Sequence, residues 1–123
     1  MVMKYAKEPS QRQLKIGGEI RAAIAQVFSR NELSHPFFEK YMFTVSEVRV
    51  SPDISIATAF LILPDELDQK QLLKFFNEIS KTIRKLIAPK VNLKFMPEIR
   101  FASDESVKKA AKISGLLKGI NKD

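Results

Sequence analysis

The sequence lacks the residues on which most enzyme mechanisms depend. It contains no cysteine and a single histidine, His35, so disulfides, thiolate zinc sites and thiol nucleophiles are excluded and nucleophile–base pairs are nearly so. No G-x-x-x-x-G-K-[ST] or G-x-G-x-x-G loop and no H-E-x-x-H motif occurs. His35 stands beside Pro36, which is more typical of a loop residue than of a ligand. We therefore expect no catalysis, no metal site and no cofactor.

Long apolar runs are also missing. No run of 18 apolar residues offers a membrane span, and Met1–Gln11 lacks the apolar core of a signal peptide. These absences, with the lack of cysteine, favour a cytoplasmic protein that does not associate with membranes. The 123 residues, 45% of them hydrophobic, suffice for one domain with its own core. No exposed apolar stripe demands a dimer, so a monomer is expected.

Positive charge is what the sequence has in excess. Its 21 Lys and Arg exceed its 14 Asp and Glu, which gives a formal net charge of +7. Such a field favours association with polyanions and supports nucleic-acid binding. Composition alone is equally consistent with lysines that lie on a solvent-exposed surface and bind no partner.

The pattern of Asp65–Pro89 predicts one long helix with two different faces. Asp65 is the expected N-cap, and Pro89 ends the helix near Ala88. A bend is expected near Ser80, whose hydroxyl can donate to a carbonyl one turn earlier. The apolar stripe consists of Leu72, Phe76, Ile79, Ile83 and Leu86. The lysine stripe opposite consists of Lys70, Lys74, Lys81 and Lys85.

The other helices flank this pattern. Ser10 and Gln13 form an S-x-x-Q capping box that opens a helix reaching about Arg30, although Gly17 and Gly18 each cost about 1 kcal/mol against alanine. A loop covers 31–40. A last helix is expected after Ser103-Asp104. The first helix should bury Ile16, Ile20, Ala23, Ile24, Val27 and Phe28.

Three segments read as strands. In Tyr41–Val50 apolar residues alternate between the two faces of a strand, but the alternation shifts by one residue. A bulge near Ser46 and Glu47 would explain the shift. Ser55–Leu63 is apolar on both faces and is expected to be central. Val91–Ala102 contains Pro97, which indicates an edge strand or a bulge. The phenylalanines expected to face the core are Phe60, Phe76, Phe95 and Phe101, so no aromatic side chain is an obvious base-stacking candidate.

The element order predicts an α+β domain with a three-stranded mixed sheet and helices packed on one face. Basic residues then lie on the long helix, on the sheet face and at the turn between them. Lysine acts as a point charge, which suits phosphates rather than base edges. The candidate RNA-binding residues are Lys70, Lys74, Lys81, Arg84, Lys85, Lys90, Lys94 and Arg100, with Arg12 and Lys15 as helpers.

Several segments, in order, resemble the ribosome-binding factor A family. They span about Ser10 to Leu117, and the ordered set is more specific than any one of them. They are Ser10–Arg21, Thr44–Asp53 with Ala57-Thr58-Ala59, Ile83-Arg84 leading into Leu93, Pro97–Phe101 and Asp104–Ser106.

This resemblance implies a single KH-like domain of type II topology, α-β-β-α-α-β, over residues 10–117, with flexible ends at 1–9 and 118–123. In the family a kink with an alanine-x-glycine pattern replaces the KH glycine loop. Ile79, Ser80 and Lys81 occupy those positions, so neither the alanine nor the glycine is present. Arg84 matches the arginine after the kink. Asp53 and Asp104 also match, and we interpret them as turn and cap residues.

The resemblance also implies a function. It is that of a non-enzymatic ribosome biogenesis factor, which binds the 30S small ribosomal subunit and its 16S rRNA during late maturation and rRNA processing, including under cold stress. Other assembly factors or small-subunit proteins are further possible partners. Two alternatives remain: a basic domain that docks on an acidic protein, and a general binder of single-stranded RNA, for which the missing G-x-x-G loop is unfavourable.

Overall fold

The structure is a computed structural model, and it describes residues 8–104. The predicted last helix, the flexible C-terminal end and all but the last two residues of the flexible N-terminal end lie outside this range. The elements in chain order are α1 (Gln11–Ser29), α2 (Phe37–Lys40), β1 (Thr44–Val50), β2 (Ile56–Ile62), α3 (Gln69–Glu78), α4 (Ser80–Ile87), a 3₁₀ turn (Ala88–Lys90) and β3 (Glu98–Ser103).

The strands form a mixed sheet in the order β1-β2-β3, which confirms that the second strand is central. β1 and β2 are antiparallel, whereas β2 and β3 are parallel and are joined through α3 and α4. The register of β1 shifts between Val45 and Glu47. This is the predicted bulge, and it returns Val50 to the same buried side as Val45.

Among residues 8–104, the helices cover one face of the sheet. Ala57, Ala59 and Leu61 of β2 are fully buried on that face. Phe60 points to the opposite face, where the Arg49 guanidinium lies 5.1 Å from its ring centroid. The prediction that Phe60 faces the core is therefore wrong. Both faces of β2 are apolar, so the period of the strand alone did not indicate which one the helices cover.

Helix α1 begins as predicted, with the reciprocal hydrogen bonds of the Ser10–Gln13 capping box. All six residues of the predicted apolar face are buried. The packing of α1 requires glycine at position 17, because a Cβ added to Gly17 would lie 2.6 Å from the Val48 carbonyl oxygen. This glycine lets α1 lie directly against the backbone of β1.

Aromatic rings fill the space between the helices and the sheet. Phe76 of α3 is fully buried at their centre. Its ring centroid lies 5.2 Å from Phe43, 5.5 Å from Phe28 and 5.5 Å from Phe101. These tilted and edge-on contacts link α1, the chain before β1, α3 and β3 into one core.

The predicted long helix starts later than expected and is broken. The N-cap is Asp68 rather than Asp65, since the Asp68 carboxylate accepts from the Gln71 backbone N–H at 3.0 Å. Ile79 leaves helical geometry, with φ −97° and ψ 8°. The Ser80 hydroxyl donates to the Asn77 carbonyl at 2.9 Å, as predicted. The expected bend is thus confirmed, one residue before Ser80.

The third strand is shorter than predicted. It begins at Glu98, whose N–H donates to the Ser55 carbonyl at 2.9 Å, and residues 91–97 are irregular. Pro97 has no N–H to give the ladder, so pairing starts only after it. β3 is an edge strand, in line with the expectation from Pro97. Phe95 consequently falls outside the strand, is 76% exposed and does not face the core, contrary to prediction.

The turn between β1 and β2 is organised by one carboxylate. Asp53 accepts hydrogen bonds from the Ser51 hydroxyl at 2.8 Å and from the Ser55 hydroxyl at 2.7 Å. The hydrogen bonds from Ser55 and then from Ser51 lower the pKa of Asp53 below its ordinary value of 3.8. Ile54 adopts a positive φ of 62° in this turn, which is strained for a β-branched residue.

We predict opposite effects for alanine at the two glycines of α1. Gly17→Ala should lower the free energy of unfolding by about 1–3 kcal/mol, because its Cβ meets a backbone oxygen. Gly18→Ala should raise it by up to about 1 kcal/mol, because the position is open and alanine favours the helix. Urea unfolding of both variants measures the difference. Equal effects of the same sign would contradict the close contact at Gly17.

A second prediction concerns acid stability. Because the folded pKa of Asp53 is lowered, its stabilising effect is complete above pH 3.8 and is lost as the pH falls through the folded value. Asp53→Asn should therefore lower Tm at neutral pH, and the difference from wild type should shrink below pH 3.8. Thermal unfolding across the acid range measures this. A difference independent of pH would show that the charge of Asp53 does not organise the turn.

Candidate nucleic-acid interface

All ten basic residues predicted from the sequence lie at exposed positions. They do not, however, form one stripe. The break at Ile79 divides the helix lysines into a pair on α3, Lys70 and Lys74, and a pair on α4, Lys81 and Lys85. Within residues 8–104 none of these four lysines makes an ion pair. Their charges remain available to an anion.

Two side chains, one on each side of the helix break, fix the helices to the β3 chain. The Asn77 side-chain amide accepts from the Phe101 N–H at 2.9 Å and donates to the Phe101 carbonyl at 3.2 Å. Asn77 thus pairs with the free edge of β3 as a neighbouring strand would. Arg84 donates from Nε to the Pro97 carbonyl at 3.0 Å and from its terminal nitrogen to the Met96 carbonyl at 2.6 Å.

The contacts of Arg84 bring α4 next to the irregular segment before β3. Lys81 and Lys85 flank Arg84 on α4, and Lys94 lies two residues before Met96. From Ile79 to Pro97 the chain carries Lys81, Arg84, Lys85, Lys90 and Lys94 and no acidic residue. We call this group of five the kink surface. It is a positively charged area on two chain segments that the hydrogen bonds of Arg84 hold next to each other.

Two predicted residues are already paired with acids. Lys90 of the kink surface contacts Glu32 at 3.2 Å, and Arg100 contacts Glu98 at 2.8 Å on the open sheet face. The exposed pair of Arg100 and Glu98 is weak, whereas the side chains of Lys90 and Glu32 are only 25% and 23% exposed. Both pairs reduce the local positive potential, so Lys90 and Arg100 are weaker anion sites than Lys81 and Lys85.

Arg12 and Lys15 lie apart from the kink surface. They occupy the first turns of α1, where the Gln13 side chain donates to the Val50 carbonyl at 2.8 Å. Lys90 contacts Glu32, just beyond the other end of α1. A helix rises 1.5 Å per residue, so the two sites are separated by roughly 27 Å along α1. A ligand that touches both must be large.

Sequence reasoning missed Asn77 and Phe95. The contact of Asn77 could not be predicted, because nothing in the sequence pattern of a polar helix face indicates which distant backbone group an asparagine will bind. For Phe95 the sequence did give a signal: Pro97, two residues later, indicates that the ladder is interrupted near it. The ring lies beside the kink surface, with Lys94 Nζ 5.6 Å from its centroid.

Two further findings concern other kinds of site. His35 packs its ring against Phe37 and Phe75, and its Nδ1 accepts from the Phe37 N–H at 3.2 Å, as a loop residue would. Between residues 8 and 104 no three acidic or histidine side chains gather in a way that would hold a metal ion. Across the same residues, no helix has both the length and the hydropathy that a membrane span requires.

The mixed three-stranded sheet, the helices on one face and the broken helix before the last strand define a KH-like domain of type II topology. The fold of ribosome-binding factor A from Thermus thermophilus is similar, with a TM-score of 0.61 over 74% of this chain and 94% of that one, at 18% identity. Another neighbour is a homology model of the Thermus thermophilus factor fitted into the cryo-electron-microscopy map of its complex with 30S, with a TM-score of 0.59, 17% identity and coverage of 76% and 96%. At these identities the likeness establishes the fold.

The family follows from the sequence matches. The family model of ribosome-binding factor A matches residues 12–117. A relative named ribosome-binding factor A, from Methylobacterium sp. (strain 4-46), is 42% identical over 110 residues, which cover 89% of this chain and 79% of the relative. The chain therefore belongs to the ribosome-binding factor A family.

The double hydrogen bond of Arg84 generates a prediction. Arg84→Lys keeps the charge but cannot reach both carbonyls with a planar fork, so the free energy of unfolding should fall by about 1 kcal/mol. The control is Lys85→Arg, at a neighbouring exposed position that makes no ion pair with the described residues, where the change should stay within about 0.5 kcal/mol. Urea unfolding measures both. Equal stability of Arg84→Lys and wild type would contradict the anchoring role.

Proposed function

We propose that this protein is a ribosome biogenesis factor that binds the 30S small ribosomal subunit through its 16S rRNA during late maturation and rRNA processing. Membership of the ribosome-binding factor A family supports this proposal. So does the fold shared with a protein whose complex with 30S has been imaged. The proposed RNA-binding residues are the ten predicted from the sequence, with the kink surface at the centre.

The observation that carries the proposal is the kink surface itself. Lys81 and Lys85 are exposed and have no ion-pair partner among residues 8–104. Neighbouring unneutralised lysines on a fixed helix repel one another, and an anionic ligand relieves this repulsion. Folded RNA supplies closely spaced phosphates, and lysines recognise their charge and position rather than the sequence.

The proposal extends to the organisation and setting of the protein. The RNA-binding domain spans residues 10–117 and acts in the cytoplasm as a monomer. It performs no catalysis of its own and needs no cofactor. Its role in subunit maturation includes growth in the cold, and other assembly factors or small-subunit proteins are further partners.

Charge reversal on α4 tests the contact. Lys81→Glu with Lys85→Glu should weaken binding to purified small subunits and reduce the slope of log affinity against log salt concentration. Each phosphate contact contributes about 0.7–0.9 to that slope, so the loss of two predicts a decrease of about 1.5. Co-sedimentation across a salt series measures both quantities.

The matched control is Arg21→Glu with Lys40→Glu. Both residues are exposed, lie outside the kink surface and change the net charge by the same amount. This control should lower affinity slightly and keep most of the salt slope. An unchanged affinity of the Lys81/Lys85 variant would remove α4 from the interface. An equal loss in both variants would show that only net charge matters.

The choice of partner is tested with large subunits and free rRNA. Selective binding to small subunits supports the maturation factor, whereas equal binding to every RNA indicates a general RNA binder. Nuclease treatment before a pull-down separates the remaining alternative, since an association with an acidic protein survives it and one that depends on RNA does not.

A further inference from the structure

Phe95 differs from the other phenylalanines of the described chain. It is 76% exposed, the only exposed phenylalanine within residues 8–104, and its ring, like that of Phe60, pairs with no other aromatic ring in that range. A single exposed apolar side chain is ordinary by itself. Phe95 calls for an explanation because its backbone is fixed, its ring is next to a cation and its surroundings are basic.

The backbone around Phe95 is held on both sides. Before it, Val91 is buried and Leu93 packs partly against the core. After it, the Met96 and Pro97 carbonyls both accept from Arg84, and β3 begins at Glu98. The ring is therefore presented to solvent from an anchored segment, so a ligand that stacks on it finds the position already fixed.

The charged residues between Ile79 and Pro97 are all basic, and Glu98 is the first acid after the ring. Lys94 Nζ lies 5.6 Å from the ring centroid, and Arg84, which anchors the following residues, is flanked on α4 by Lys81 and Lys85. An aromatic face among cations, with no acid between Ile79 and Pro97, is the combination with which proteins bind unpaired nucleotides. The ring stacks on a base while the cations neutralise the adjacent phosphates.

We propose that Phe95 stacks on an unpaired base of the bound RNA, so that the kink surface recognises a single-stranded or looped nucleotide beside a phosphate track. The inference rests on the proposed function and deepens it. It adds a contact that depends on base stacking to a surface otherwise described by charge alone.

Stacking and charge contacts differ in their salt dependence, which gives the first test. Phe95→Ala should weaken binding to small subunits by about 5-fold to 150-fold, because a base–aromatic stack is lost. The slope against salt should stay at the wild-type value, since no phosphate contact changes. Phe95→Tyr should retain the affinity. Met42→Ala, at an apolar position that is 84% exposed and away from the kink surface, is the control and should bind as wild type.

The second test uses fluorescence and does not need the subunit. The chain has no tryptophan, so Phe95→Trp carries a single reporter. Single-stranded oligoadenylate should quench it, whereas a duplex RNA should quench it far less, and Met42→Trp should respond to neither. The exposed positions of Phe95 and Met42 allow these variants to fold, which urea unfolding checks.

The outcomes separate the two proposals. Loss of affinity in Phe95→Ala at constant salt slope, with quenching of Phe95→Trp, supports stacking. Wild-type affinity in Phe95→Ala, or an equal loss in Phe95→Tyr, overturns it. Loss of subunit binding without quenching by RNA points to a contact with a ribosomal protein and also overturns it. If wild type does not select small subunits, the proposed function fails, and the quenching experiment still decides whether Phe95 stacks on bases.

Discussion

The broken helix is held to one strand by two side chains, and the candidate interface depends on that attachment. Asn77 pairs with the backbone of Phe101, and Arg84 reaches the carbonyls of Met96 and Pro97. One anchor lies before the break at Ile79 and the other after it, so each half-helix has its own fixed orientation against β3.

This attachment explains why the positive surface has the form it does. Arg84 directs its hydrogen bonds to the protein itself, which brings α4 and the segment before β3 together and leaves Lys81, Lys85 and Lys94 facing solvent. A guanidinium suits this anchoring because its planar donors match two adjacent carbonyls, whereas ammonium groups suit diffuse contacts with phosphates. Arg84 keeps its charge and still contributes to the local field.

The elements and the core could be predicted where the periodicity was strong and unambiguous. The apolar face of α1, its capping box, the bulge in β1 and the bend near Ser80 all follow from local patterns. The predictions failed where local pattern and tertiary contact disagree. Phe60 lies on a strand with two apolar faces, and only packing decided between them. Phe95 lies in a segment whose alternating apolar residues predicted a strand. Strand pairing begins only at Glu98, because Pro97 has no N–H to donate.

The candidate site was predictable in composition but not in shape. The exposure of Lys70, Lys74, Lys81 and Lys85 follows from their place opposite the apolar stripe of the helix, which the sequence displays. The grouping of the kink surface does not, because it depends on Arg84 meeting carbonyls 12 and 13 residues away. A hydrogen bond between a side chain and a distant backbone carbonyl leaves no periodic trace in the sequence. The hydrogen bonds of Arg84 also fix the segment that carries Phe95. One side chain therefore determines both the position of the charges and the exposure of the ring. Under the two proposals, recognition by charge and recognition by stacking would be coupled through this contact, because moving α4 relative to β3 would separate the lysines from the ring.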